Sequence, residues 1–186
     1  TLLRCLALLS RPTAGQVHWC GKPAAQSSRE RGLIGMASHE GGLYGELSAK
    51  ENLQFAARMH GIPQPSSRIS QLLATSGLQS HADRPVKKLS QGMRQRLVLL
   101  RAVLHQPSIL LLDEPLTGLD TTSRNWVRDL LDQMRSANTA ICFATHDNAL
   151  ASEVADRTIL LRGGIVHADE SGQTVRSPMP AWGRAS

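Results

Sequence analysis

The sequence predicts an α/β fold, a mostly parallel sheet with helices on its faces and a helical lobe inserted into it. Three observations carry this. Short apolar runs alternate with amphipathic stretches along the C-terminal half, the pattern of strands joined by crossover helices. The run "SILLLDEP", Ser108 to Pro115, is almost unbroken apolar and ends in acids, as expected of a strand buried on both faces. The segment from about Ser48 to Arg84 reads as helix after helix, so it stands apart from the alternation as an inserted lobe.

Each element has its own justification. Leu2, Leu3, Leu6, Leu8 and Leu9 fall on one broad face, which predicts a helix from Thr1 to about Ser10, ended by Pro12. A short strand is expected through Val17 to Trp19, between turns, and another over Gly32 to Ala37, followed by the Gly-rich "SHEGGLYGEL". Ser48 with Glu51 three residues on has the form of a capping box, and Gly61 and Pro63 close that helix. Ile69, Leu72 and Leu73 place a second helix over about Arg68 to Ser76. "HADRPVKK" is a connector. Met93, Leu97, Leu100 and Leu104 form one stripe of a long helix, about Gly92 to His105. Trp126, Val127, Leu130, Leu131 and Met134 do the same for about Thr121 to Arg135. "TAICFAT" reads as strand, "DNALASEVA" as helix, "RTILL" as strand, Gly163-Gly164 as a turn and "IVH" as a last strand. The expected domain covers 1–168, with 48–106 as its helical subdomain, and a flexible Ser/Pro/Gly-rich tail is expected over 169–186.

Composition excludes several classes. No apolar run approaches the ~18–20 residues of a membrane helix, and the N-terminus lacks a signal-peptide layout. Three dispersed cysteines, with no C-x-x-C pair, argue against a zinc or disulfide framework. The net charge of +6 is spread along the chain without aromatic interleaving, so no nucleic-acid binding stripe is visible. A basic surface beside an acidic membrane face or an anionic ligand explains the charge equally well, and no nucleic-acid partner is expected.

Four short stretches carry chemistry. Asp113 and Glu114 fall at the carboxyl end of a parallel strand, where ligands gather in such sheets. Two acids there can divide labour, one holding a hydrated Mg²⁺ and the other orienting or deprotonating a water. A solvated acidic turn is the plain alternative. In "LSQGMRQR", Leu89 to Arg96, Ser90 begins a helix and Gly92 allows close approach of a phosphate or a partner's backbone. "TGLD", Thr117 to Asp120, follows the acids at once, and His146 follows the next strand of the same sheet.

In order and spacing these stretches resemble the ATP-binding cassette (ABC) ATPases over nearly the whole span from Thr1 to about His167. The sequence "LSQGMRQRLVLLRAVLHQPSILLLDEPLTGLD" is close to the family's signature motif, Walker B strand and D-loop in succession. The resemblance implies a P-loop NTPase-type sheet and ATP with Mg²⁺ as cofactors. Ser90 and Gly92 would contact the γ-phosphate of ATP held by an opposing subunit. Asp113 would be the metal-binding aspartate, Glu114 the catalytic base, Asp120 the D-loop aspartate and His146 the γ-phosphate-sensing histidine. Two cassettes would close on two ATPs and drive membrane-spanning transporter subunits from the cytoplasmic face of the inner or plasma membrane.

Two departures stand out. Gln91 and Met93 replace the Gly and Gln of the best-known signature, and the Q-loop position offers His39 or Glu40 in place of Gln. The phosphate-loop pattern G-x-x-x-x-G-K-[ST] is absent from the 186 residues. The resemblance places Thr1 just after that loop, so the expectation is a chain truncated at its N-terminal side, without the loop and the strands preceding it. "SRPTAGQVHWCGKPA" and "SHEGGLYGELSAKENLQFAARMHG" are similar to the haem-exporter ATPases of cytochrome c maturation and to related bacterial exporters. The alternatives are a soluble ABC-type ATPase not tied to transport and an inactive cassette fragment.

Overall fold

A computed structural model describes residues 1–19, 21–24, 27–38 and 41–171. The chain divides into two units, Thr1–Ala144 and Thr145–Ser186.

The first unit is organised by a three-stranded parallel sheet. Strands β3 (Ile34–Ala37), β4 (Ile109–Asp113) and β5 (Ala140–Ala144) lie in that order, with β4 central. The pairs Ala37↔Leu112 and Asp113↔Ala144 put the carboxyl ends of all three side by side. Leu110, Leu111 and Leu112 are buried, as the apolar run demands. Among the described residues β5 pairs only with β4, and Ala140, Cys142 and Ala144 along it are exposed.

One side of the sheet is covered by α1 (Leu2–Leu6) and a small antiparallel ribbon, β1 (His18–Trp19) with β2 (Lys22–Pro23). Leu3, Ala7, Leu8, Ile34 and Leu111 form a single buried cluster there, with Val17 and Trp19 against it. The predicted helix over Thr1 to Ser10 is thus shorter than its apolar pattern. Leu8 takes φ 57° and the N–H groups of Leu9 and Ser10 both return to the Arg4 carbonyl, which ends the helix a turn early. Burying Leu8 against the sheet outweighs continuing the helix. A one-turn helix, α2 (Ser28–Arg31), precedes β3.

The lobe contains α3 (Ala49–Met59), α4 (Ser66–Thr75) and two short 3₁₀ turns, Gln79–His81 and Val86–Lys88. It packs on α5 (Gln91–Val103), and the shared core runs from Ala49 to Leu104 through Leu53, Ile69, Leu73, Leu78, Leu97 and Leu100. The capping box is present: Ser48 Oγ accepts from Glu51 N at 3.1 Å, and Glu51 accepts from Ser48 N at 2.8 Å. α5 belongs to both layers. Its Ala102 carbonyl presses on Gly35 of β3, where an added Cβ would lie 2.1 Å from that oxygen. Finally α6 (Thr121–Ser136) buries Val127, Leu130, Leu131 and Met134.

The second unit has α7 (Asn148–Val154) and a hairpin of β6 (Arg157–Arg162) and β7 (Ile165–Ser171). Gly163 and Gly164 make its two-residue turn with φ 56° and 81°, the left-handed pair that a type I′ turn requires. The expected tail boundary therefore shifts. Asp169 is in β7 and pairs with Arg157 at 2.7 Å, because β7 extends to match the full length of β6. Residues 172–186 lie outside the described residues.

Candidate functional site

Chain direction and register bring the acids to the carboxyl end of β4. Asp113 is its last residue and Glu114 the first beyond it, both half-buried. Glu114 has φ 50°, a conformation uncommon for a side chain of this kind and one that clusters at functional positions. It is held there by bonds on both sides. Its N–H donates to the Ala144 carbonyl of β5 at 2.9 Å, and its carbonyl accepts from Thr117 N at 3.2 Å. Thr117 Oγ1 donates to the Glu114 carboxylate at 3.4 Å.

The next residues form a loop pinned by Leu116 and Leu119, both buried. The loop ends at Asp120, which caps α6 by accepting from Ser123 N at 2.8 Å. That bond, with the Ser123 side chain and Arg96 adding to it, holds the Asp120 carboxyl below its usual range.

Ser90 caps α5, its Oγ accepting from Met93 N at 3.2 Å, and remains exposed. The first two turns of α5 lie along the loop after the acids. A Cβ on Gly92 would meet Leu119 at 3.7 Å, an ordinary contact, so nothing described here crowds Gly92. Gln95 Nε2 donates to the Pro115 carbonyl at 3.4 Å. The structure thus brings together the helix start carrying Ser90 and Gly92, and the segment Asp113 to Asp120.

The remaining predicted residues are placed as follows. Thr1 stands at the N-cap of α1 without a side-chain cap bond, its carbonyl accepting from Cys5 N at 3.2 Å. His146 is exposed in the second unit, where Thr145 Oγ1 accepts from Asp147 N at 3.0 Å. His39 and Glu40 lie outside the described residues. Among the described residues no group of three His, Cys, Asp or Glu could hold a metal ion.

Sequence reading missed the groups that hold the loop after β3. Arg101 donates to the carbonyl of Gly41 at 2.9 Å and also to that of Gly42. Asn52 of α3, 2% exposed, accepts from Tyr44 N at 2.8 Å and donates to the Tyr44 carbonyl at 3.0 Å. No sequence signal separates a buried Asn from an exposed one on a helix. His60 and His105 belong to no motif and read in the sequence as packing or exposed histidines; their rings stack at 3.8 Å and 5° between α3 and α5. His105 Nε2 donates to the Ile34 carbonyl at 3.1 Å, leaving Nδ1 buried without a hydrogen-bond partner among the described residues.

This pair gives a pH dependence. Burial, followed by the nearby Arg101 charge, lowers His60. Burial, followed by His60 and partly offset by the Ile34 bond, pushes His105 down to about 4. The unfolded chain protonates each near pH ~6.5, and the folded chain resists protonation at both. Stability is therefore full above pH ~6.5 and falls as pH drops from there towards the folded His105 value. Urea midpoints measured across that window are expected to decline, and His105→Phe, which keeps a stacked ring, is expected to flatten the decline.

The family model for ABC transporters matches residues 1–117. The chain is 35% identical over 173 residues to the ABC transporter ATP-binding protein NatA of Bacillus subtilis, covering 89% of this chain and 69% of that one. It is 34% identical to the sulfate/thiosulfate import ATP-binding protein CysA of Bordetella parapertussis, covering 99% of this chain and 52% of that one. It is also 34% identical to the Nod factor export ATP-binding protein I of Cupriavidus metallidurans, over 88% of this chain and 55% of that one. It thus spans about half the length of the latter two. Among solved structures, an ATP-binding subunit of an ABC transporter superposes with TM-score 0.83 at 24% identity, covering 91% of this chain and 72% of that one. A dimeric cassette in a post-hydrolysis state with ADP and phosphate gives 0.81 at 24%, over 91% of this chain and 78% of that one. At that identity the likeness is one of fold.

Proposed function

Because this chain belongs to the ABC transporter family, we propose that it is the ATP-binding, ATP-hydrolysing subunit of a membrane transporter. The observation that carries the reading is the strained, doubly held Glu114 directly after Asp113 at the end of the central strand. Asp113 holds Mg²⁺, which supplies charge neutralisation of the phosphates, and Glu114 orients and deprotonates the attacking water. Ser90 and Gly92 meet the γ-phosphate of ATP carried by a second cassette, Asp120 faces that cassette, His146 senses the γ-phosphate, and Thr1 lies beside the phosphates. His39 or Glu40 fills the Q-loop position.

The partners on this reading are a second cassette and membrane-spanning subunits. None of the described helices is long and apolar enough to cross a membrane, which fits a peripheral subunit at the cytoplasmic face. Export is the finer part of the proposal, with haem for cytochrome c maturation as its narrowest form. Its support is the pair of stretches "SRPTAGQVHWCGKPA" and "SHEGGLYGELSAKENLQFAARMHG". An import ATPase and an export ATPase are equally similar, both at 34%, so identity favours neither direction.

The test is a titration of the 186-residue chain with Mg-ATP, followed by amide NMR. Without a phosphate loop in these residues, binding in the millimolar range (Kd on the order of 1 mM) is expected. Shifts are expected at Ser90–Met93 and Glu114–Asp120, and Asp113→Ala is expected to weaken them at least about tenfold. Shifts confined to other residues would overturn the assignment, whereas no shifts at all would show that the phosphate loop is decisive for binding.

A further inference from the structure

The signature of this chain carries a side chain, Gln91, where the best-known form has Gly. That side chain lies over the loop after the acids. A Cβ built on Gly118 would sit 2.7 Å from Gln91 Nε2, 3.0 Å from its Cδ and 3.5 Å from its Cγ. Gly118 has φ +72°, so the loop turns there with its bare backbone towards Gln91. One turn along the same face of α5, Gln95 reaches the Pro115 carbonyl at 3.4 Å. Between them, Gly92 leaves room for Leu119 and the Gly118 carbonyl, at 3.7 and 3.9 Å from where its Cβ would be.

We propose that Gln91 is a positioning residue. It straps the Pro115–Asp120 loop to the first turn of α5, so that Ser90 and the Glu114–Asp120 segment of one subunit move as one body. This rests on the proposed function, in which Ser90 meets the ATP carried by a second cassette while Glu114 acts on the ATP of its own subunit. With Gly at this position the loop would lose the Gln91 contact, and Glu114 and Asp120 would be freer to shift relative to Ser90. Gln91 is itself exposed on its outer side, so the contact is packing across one surface of the amide, with no hydrogen bond from Gln91 to the loop.

The experiment is hydrogen exchange by mass spectrometry on the full 186-residue chain, without nucleotide. Its outcome is therefore independent of whether the chain binds ATP. Gln91→Ala removes the strapping atoms while favouring the helix. It is expected to speed exchange in peptides covering 115–120 by about tenfold, with peptides from α3, α4 and β4 unchanged. Gln91→Met, of similar length and without the amide, is expected to restore protection. Unchanged exchange at 115–120 in Gln91→Ala would overturn the proposal. So would acceleration spread evenly through the chain, or a Met variant that exchanges like the Ala variant.

Discussion

Gly35→Ala is expected to destabilise the first unit by about 3 kcal/mol or more, at the upper end for overpacking a closed site. The new methyl group would lie 2.1 Å from the Ala102 carbonyl oxygen and 2.9 Å from Pro107 Cγ. The oxygen is backbone, inside a helix whose Leu99, Leu100 and Val103 neighbours are buried, so it cannot step aside alone. Either α5 lifts off β3 or β3 leaves its register with β4. The urea midpoint is the measurement, with Gly45→Ala as a control. A Cβ at Gly45 meets only Lys87 Cβ at 3.8 Å, so that variant is expected to be neutral or more stable by up to about 1 kcal/mol. A Gly35→Ala chain as stable as the parent would mean that β3 and α5 do not approach as described.

Asn52→Ala is expected to cost about 3 kcal/mol, because it orphans several buried groups at once. Asn52 Nδ2 donates to the carbonyls of Tyr44 and Ser48 at 3.0 and 2.9 Å, with Leu47 at 3.3 Å, while Oδ1 accepts from Tyr44 N. Arg101 holds the opposite end of the same loop at Gly41 and Gly42. Removing Asn52 is therefore expected to loosen the stretch leading from the His39/Glu40 position into α3. Exchange at the Tyr44 amide should rise more than at amides in the middle of α3. A uniform rise would show Asn52 acting through the core as a whole.

These two positions also mark the limit of what was legible beforehand. β4, the Ser48 capping box and the Ser90 cap follow from patterns within a few residues, and each lies where those patterns put it. The place of Asp113 and Glu114 at a strand end follows from the apolar run stopping at Leu112. By contrast, the early end of α1 at Leu6 is set by Leu8 finding Leu111 across the sheet, a contact no local pattern contains. The close approach at Gly35, the bonds of Asn52 and the stacking of His60 on His105 likewise depend on segments distant in sequence. Gln91 was legible as a departure from a motif, but its consequence needed the position of Gly118.

Three arginines in the lobe and its supporting helix bind peptide oxygens. Arg68 donates to the carbonyls of Val103 and Leu104 at the end of α5, Arg96 to that of Ser76 after α4, and Arg101 to those of Gly41 and Gly42. A neutral acceptor gives mobile ions little to screen, unlike an exposed ion pair. These joints should keep their strength in concentrated sodium chloride, where the exposed Lys87–Glu46 pair (2.6 Å) loosens. Salt tolerance in this chain would then come from cations seated on the peptide groups that helix and loop ends leave unbonded.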